Sequence, residues 1–298
     1  MLISLCNDSL RLTVDTFGAQ MMELYLADKQ YLWQGDPAYW MDRAPILFPC
    51  IGRLPQDHYH FLGKEYTMGN HGFAAKSDFS VVSWEKTYLV LSLSSNAETI
   101  ACYPFPFSLE VSYRLCDRTA EITYSVQNRG SRTMPFAIGA HPGFRVPWQE
   151  GESFEDYTLA FSQSCQPTRI CTVSGPFLSG KEIPFPLQEG CFLPLRHGLF
   201  DDRVIILKNM AREVTLQSRK SGCAVTVSYP QMPYIGIWHT PGTDAPFVCI
   251  EPWSSLPNRE NVVEEFSCKG DLIHLAPGQS YETTWCITIS HAYERGIL

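Results

Sequence analysis

Leu109-Glu110-Val111-Ser112-Tyr113-Arg114-Leu115-Cys116-Asp117-Arg118-Thr119-Ala120-Glu121-Ile122-Thr123-Tyr124-Ser125-Val126 decides the fold class. Leu109, Val111, Tyr113 and Leu115 alternate with polar neighbours. Asp117-Arg118-Thr119 interrupts, and Ile122, Tyr124 and Val126 resume the alternation. A period of two with a turn in the middle predicts a hairpin with one buried face. The same signal recurs outward along the chain. Val214 and Leu216 lead through Arg219-Lys220-Ser221-Gly222 to Val225, Val227 and Tyr229. Leu10–Val14, Leu89–Leu93 and the run Trp285, Ile287, Ile289 read as further strands.

Helical signals are few. Asp36-Pro37 resembles an N-cap followed by proline at the first helical position, which predicts one or two turns through Trp40. Asn261–Phe266 predicts another. Pro104-Phe105-Pro106 and Pro184-Phe185-Pro186 hold aromatics between prolines and read as packed loops or strand edges. No Ser/Gly/Pro-rich linker divides the chain. The expectation is one domain over residues 1–298, an all-β antiparallel sandwich with a few short helices.

The 298 residues are 45% hydrophobic, enough for a sizeable core. Lys plus Arg number 23 and Asp plus Glu 31, a net charge of −8 without a basic cluster. That argues against nucleic acid and anionic membranes as partners. The N-terminus lacks the basic start and apolar core of a signal peptide. No apolar run approaches the roughly 20 residues that span a bilayer. Eleven cysteines with no Cys-x-x-Cys read as reduced thiols in a cytoplasmic protein. No zinc site is expected, nor any cofactor. The tract Asp57-His58-Tyr59-His60 has no third ligand at a recognised metal spacing.

Three segments set an ionisable side chain among glycine, proline and aromatics. They are Asn70-His71-Gly72-Phe73, Gly139-Ala140-His141-Pro142-Gly143 and Cys249-Ile250-Glu251-Pro252-Trp253. Proline after His141 biases the histidine toward an extended backbone. An imidazole with an ordinary pKa of about 6.5 both gives and takes protons near neutrality. Glu251 ends an apolar strand, where a carboxylate is either paired or working at a site. Arg53 follows an apolar, glycine-containing stretch and offers a fork of donors to hydroxyls or a carboxylate. Trp33, Trp40, Trp238 and Trp253 offer flat apolar faces for a sugar ring, and Trp238 is the one expected to touch substrate. Each also has a structural explanation, as a turn histidine, a paired carboxylate, a surface ion pair or a core indole.

In order, the chain carries Pro45-x-Leu47-Phe48-Pro49-x-x-Gly52-Arg53, Tyr66-x-Met68-x-x-His71-Gly72-Phe73-Ala74, His141-Pro142-Gly143-Phe144 and Ile250-Glu251-Pro252-Trp253. This set resembles the aldose 1-epimerase (galactose mutarotase-like) family, in particular its LacX-type branch. The resemblance implies a large β-sandwich holding a small-molecule sugar in an open cleft. It implies that His141 protonates the ring oxygen and that Glu251 takes the proton of the C1 hydroxyl. His71 and Arg53 would hold the sugar. An acidic residue of Phe200-Asp201-Asp202-Arg203 would bind hydroxyls, with Asp201 preferred over Asp202. Ala74-Ala75-Lys76 stands where branches acting on hexose 6-phosphates often carry arginine, which implies a free sugar. A hexose-6-phosphate epimerase and a non-catalytic sugar-binding module are the alternatives. A glycoside hydrolase needs two carboxylates about the bond, and only Glu251 sits in a convincing acidic motif. Nothing in the sequence specifies an oligomeric state.

Overall fold

The computed structural model describes residues 1–173, 177–263 and 265–291. The chain is an all-β sandwich. Its nine-stranded antiparallel sheet runs, edge to edge, Phe192–Pro194, Tyr157–Phe161, Glu213–Ser218, Cys223–Ser228, Ser280–His291, Thr119–Asn128, Phe107–Cys116, Tyr88–Ser94 and Ser80–Glu85. The predicted hairpin lies within it, with Phe107 opposite Asn128 and Cys116 opposite Thr119. Leu109, Val111, Tyr113, Ile122, Tyr124 and Val126 are buried, whereas Glu110 and Arg114 are exposed.

A second, eight-stranded sheet runs Leu178–Pro184, Thr168–Thr172, Ile205–Lys208, Tyr234–Trp238, Phe247–Trp253, Gly139–Ala140 and Ile46–Leu47. Gly143–Arg145 completes it by pairing with Phe247–Trp253. Buried residues of both large sheets belong to one continuous core. Four N-terminal strands, Leu2–Cys6, Leu10–Asp15, Gln20–Leu26 and Lys29–Gln30, form a smaller sheet.

The helical expectations are met only as short turns. Asp36-Pro37 opens a single turn: Asp36 O accepts from Tyr39 N–H (3.0 Å) and Trp40 N–H (2.9 Å), and no helix follows. Near Asn261–Phe266 the structure has a turn at 260–261 and a 3₁₀ segment at Phe266–Cys268; Glu264 lies outside the described residues. The α-helix Ala97–Cys102 was not predicted. It begins at a reciprocal cap, with Asn96 Oδ1 accepting from Thr99 N–H (2.9 Å) and Thr99 Oγ1 from Asn96 N–H (2.8 Å). The proline-flanked aromatics behave as read. Phe105 is buried against Phe61 and Tyr103, and Pro184 ends an edge strand. No helix among the described residues is long and apolar enough to cross a membrane.

Candidate active site

Strand register explains the central pair. The segment Gly139–Arg145 runs antiparallel to Phe247–Trp253, with Gly139 opposite Trp253 and Gly143 opposite Cys249. Both pairs sum to 392, so position 141 falls opposite 251. Side chains alternate along a strand. Val248 and Ile250 therefore enter the main core, while Phe247, Cys249 and Glu251 turn to the other face. His141 Nε2 and Glu251 Oε2 meet there at 3.1 Å. Ser254 holds the register just beyond the pair. Its N–H donates to Ile138 O (3.0 Å), and its hydroxyl accepts from Ile138 N–H (2.8 Å).

The pair is almost sealed, with His141 9% and Glu251 1% exposed. Trp40 lies over the His141 ring at 4.9 Å, Trp238 meets it edge-on at 5.7 Å, and His71 does the same at 5.7 Å. Trp253, two residues further along the same strand as Glu251, folds over Gly236 of the neighbouring strand, which stands opposite Glu251 and has no side chain. A Cβ there would stand 2.7 Å from the indole. Burial raises the Glu251 carboxyl well above its ordinary value. Burial, and secondly His71, lowers the His141 imidazole well below its own. Both shifts favour the uncharged forms. A neutral carboxylic acid beside a neutral imidazole holds the same number of protons as a carboxylate beside an imidazolium. One proton moving between the two side chains interconverts these states, so the pair can deliver a proton at one atom and collect one at another.

His71 is set by an unusual backbone. Its φ is +61°, and Gly72 follows at +78°, where a Cβ would stand 2.1 Å from Phe48 O. Only glycine fits at 72. This turn lets Gly52 N–H donate to His71 Nδ1 at 3.0 Å, while His71 N–H donates to Gly52 O at 2.8 Å. An Nδ1 that accepts carries no proton, so the neutral ring bears its hydrogen on Nε2 and is a donor there. Burial, with Lys76 second, lowers its pKa to about 4, which keeps it neutral.

These groups line a cleft of about 390 Å³, within the roughly 300–1,000 Å³ common for small-molecule sites. His71, His141, Glu251, Trp238, Trp40 and Trp253 all lie on its wall. Trp33 does not; it packs beneath, stacked on Phe247 at 4.6 Å. Arg53 does not line the cleft either. Its guanidinium makes a bidentate pair with Asp57, at 2.9 and 3.1 Å, which occupies the fork of donors expected to meet substrate. Asp201 and Asp202 line a neighbouring groove with Arg169, outside the cleft. The backbone at Arg203 is left-handed (φ +77°), and Arg203 reaches both cavities. Asp42, Asn70 and Arg203 are cleft residues without an assigned role from sequence. Asn70 and Arg203 sat inside quoted motifs; Asp42 carried no signal.

His141, Cys249 and Glu251 bring ligand-type atoms within 4.8 Å of one another. A cation there would have to displace protons from a thiol and a carboxyl that burial holds protonated. In the tract Asp57-His58-Tyr59-His60, both histidines approach Glu65 across a hairpin, at 3.5 and 3.6 Å.

A family model described as aldose 1-epimerase matches residues 1–288. The chromosomal LacX protein of Lactococcus lactis subsp. lactis is 34% identical, over 97% of this chain and 99% of its own. A galactose mutarotase related enzyme from Lactobacillus acidophilus superposes with a TM-score of 0.93 at 32% identity, covering 98% of each chain. A galactose mutarotase-like protein from Lactobacillus casei gives 0.91 at 32% identity, covering 97% of this chain and 100% of that one.

Proposed function

The chain belongs to the aldose 1-epimerase family, and from that premise we propose that it interconverts the α and β anomers of a free aldohexose, with His141 and Glu251 as the acid–base pair. The observation that carries this reading is the 3.1 Å contact between an imidazole and a carboxyl on the wall of a sugar-sized cleft.

A cyclic aldose is a hemiacetal, with its hydroxyl oxygen and ring oxygen on one carbon. Opening it needs only proton movement. Glu251 as carboxylate takes the C1 hydroxyl proton, the C1–ring oxygen bond breaks, and His141 as imidazolium protonates the departing oxygen. The product state is the open aldehyde beside a protonated Glu251 and a neutral His141, the forms that burial favours. Rotation about C1–C2 presents the other face of the carbonyl. Closure runs the two transfers backwards. Each positioned group contributes about 10²–10⁴-fold. His71 donates from Nε2 to a substrate oxygen, and Trp40, Trp238 and Trp253 flank the ring. Asn70, Asp42 and Arg203 are within the same wall for hydroxyls. Arg53 acts indirectly, fixing Asp57 and the turn before His71. Asp201 lines the neighbouring groove rather than the cleft, and Arg203, two residues on, lines both and is the nearer donor for a sugar hydroxyl. We also propose that the protein works in the cytoplasm, where its eleven free cysteines stay reduced.

Arg203 on the wall supports a second reading, a hexose 6-phosphate as substrate, since guanidinium suits phosphate. Lys76 lends no support to it, because it is exposed and does not line the cleft. Polarimetry of freshly dissolved α-aldoses, free and 6-phosphorylated, tests the proposal. The protein is expected to speed the approach to equilibrium most for a free hexose. Background rates across the panel, with sugar still bound, would instead indicate a non-catalytic sugar-binding module.

A further inference from the structure

Away from the cleft, and sharing no lining residue with it, lies an open pocket of about 730 Å³. It is built where the N-terminal sheet meets the segment Gly143–Arg145; Arg145 N–H donates to Tyr31 O at 2.9 Å. We propose that this pocket is a second binding site, for an organic phosphate the size of a hexose phosphate.

Charge is the first argument. The chain carries −8 overall, yet this pocket is lined by Lys29 and Arg145 against one acid, Asp28. A third cation stands beside it, because the Arg11 guanidinium lies 4.2 Å over the Tyr25 ring. The cations are also poorly matched within the protein. The Lys29 ammonium reaches Cys223 Sγ at 3.6 Å, a weak acceptor. Among the described residues the Arg145 side chain has no hydrogen-bonded or ion-paired partner.

The lining is the second. Lys29 and Arg145 together are the complement of a ligand rich in anionic oxygen. Guanidinium and ammonium together suit phosphate. The volume exceeds what an inorganic ion needs, and Tyr25, Tyr31 and Trp148 give the remaining wall an apolar surface for a ring.

The test follows the Trp148 indole N–H signal by ¹H–¹⁵N NMR during titration with glucose 6-phosphate, in saturating free glucose to occupy the cleft. Expected is a saturable shift of the Trp148 signal with glucose 6-phosphate and none with glucose. Affinity should fall at least tenfold in the double variant Lys29→Gln/Arg145→Gln, and also as salt is raised. Mutarotation of free sugar by that variant should be unchanged, which separates failure here from failure of the cleft assignment. Shifts confined to Trp40 and Trp238, equal affinity for inorganic phosphate, or undiminished binding in a folded double variant would each overturn the proposal.

Discussion

The hairpin Phe107–Asn128 and the strand Phe247–Trp253 both contribute to the main core, yet they use their second faces differently. The hairpin turns Glu110 and Arg114 to water. The strand turns Phe247, Cys249 and Glu251 against a second cluster built on Trp33, with Trp40 and Trp238 packed on it, and all seven of its residues are buried. The same backbone pattern thus presents solvated side chains in one case and a sealed imidazole–carboxyl pair in the other. What differs is desolvation. Glu251, on a strand covered from both sides, is raised well above the ordinary carboxylate value by burial.

The contrast breaks first, if it breaks, at His141. Replacement by Asn is expected to lower kcat by about 10²–10⁴-fold with little change in melting temperature. Adding Glu251→Gln should cost little more, because the two residues act as one unit. Independent, multiplying losses would show two separate sites. One residue away on the same strand, Ile250→Ala should do the opposite. It should destabilise the fold by about 2–5 kcal/mol in urea unfolding while activity per folded molecule persists.

Acidification sharpens the comparison at the level of titration. His71 and His239 are held near 4 by burial, against 6.5 in the unfolded chain. The unfolded chain therefore binds protons that the folded one refuses, so their stability contribution is full above about pH 6.5 and is lost as pH falls toward about 4. Glu251 works in the other direction: its raised value weakens the fold as pH climbs above the ordinary carboxylate range. Urea midpoints at several pH values measure both limbs, and His71→Asn should flatten the acid one. The smallest effect is expected on the wet face of the hairpin, where Glu110→Ala should move stability by no more than about 0.5 kcal/mol.

The hairpin was legible because water on one face writes an alternation into the sequence. In Phe247–Trp253 both faces are covered, so periodicity vanished and only an apolar run with a carboxylate remained. That oddity singles out Glu251 as a candidate. Its pairing with His141 could not be read, since a register between segments 110 residues apart leaves no local mark. The family motifs bridged that gap. They served less well at the rim. Arg53 has an acid four residues on, Asp57, and that local pair occupies its guanidinium. Asp42 and Arg203 come from loops, where no period exists to betray which side chain faces a cavity. The Asn96–Thr99 cap was readable in principle, but the helix it starts is six residues long and has no periodicity to support it.

The central claim is that His141 and Glu251 pass protons to and from the oxygens of one cyclic sugar. Two-dimensional exchange NMR of an aldohexose at anomeric equilibrium tests it most directly, since it reads interconversion with no net reaction. With wild-type protein, α–β exchange peaks should appear well above the uncatalysed rate, and with folded Glu251→Gln they should fall by about 10²-fold or more, to near background. Exchange that is equally fast in Glu251→Gln, or absent with wild type across a broad panel of aldoses, would contradict the account.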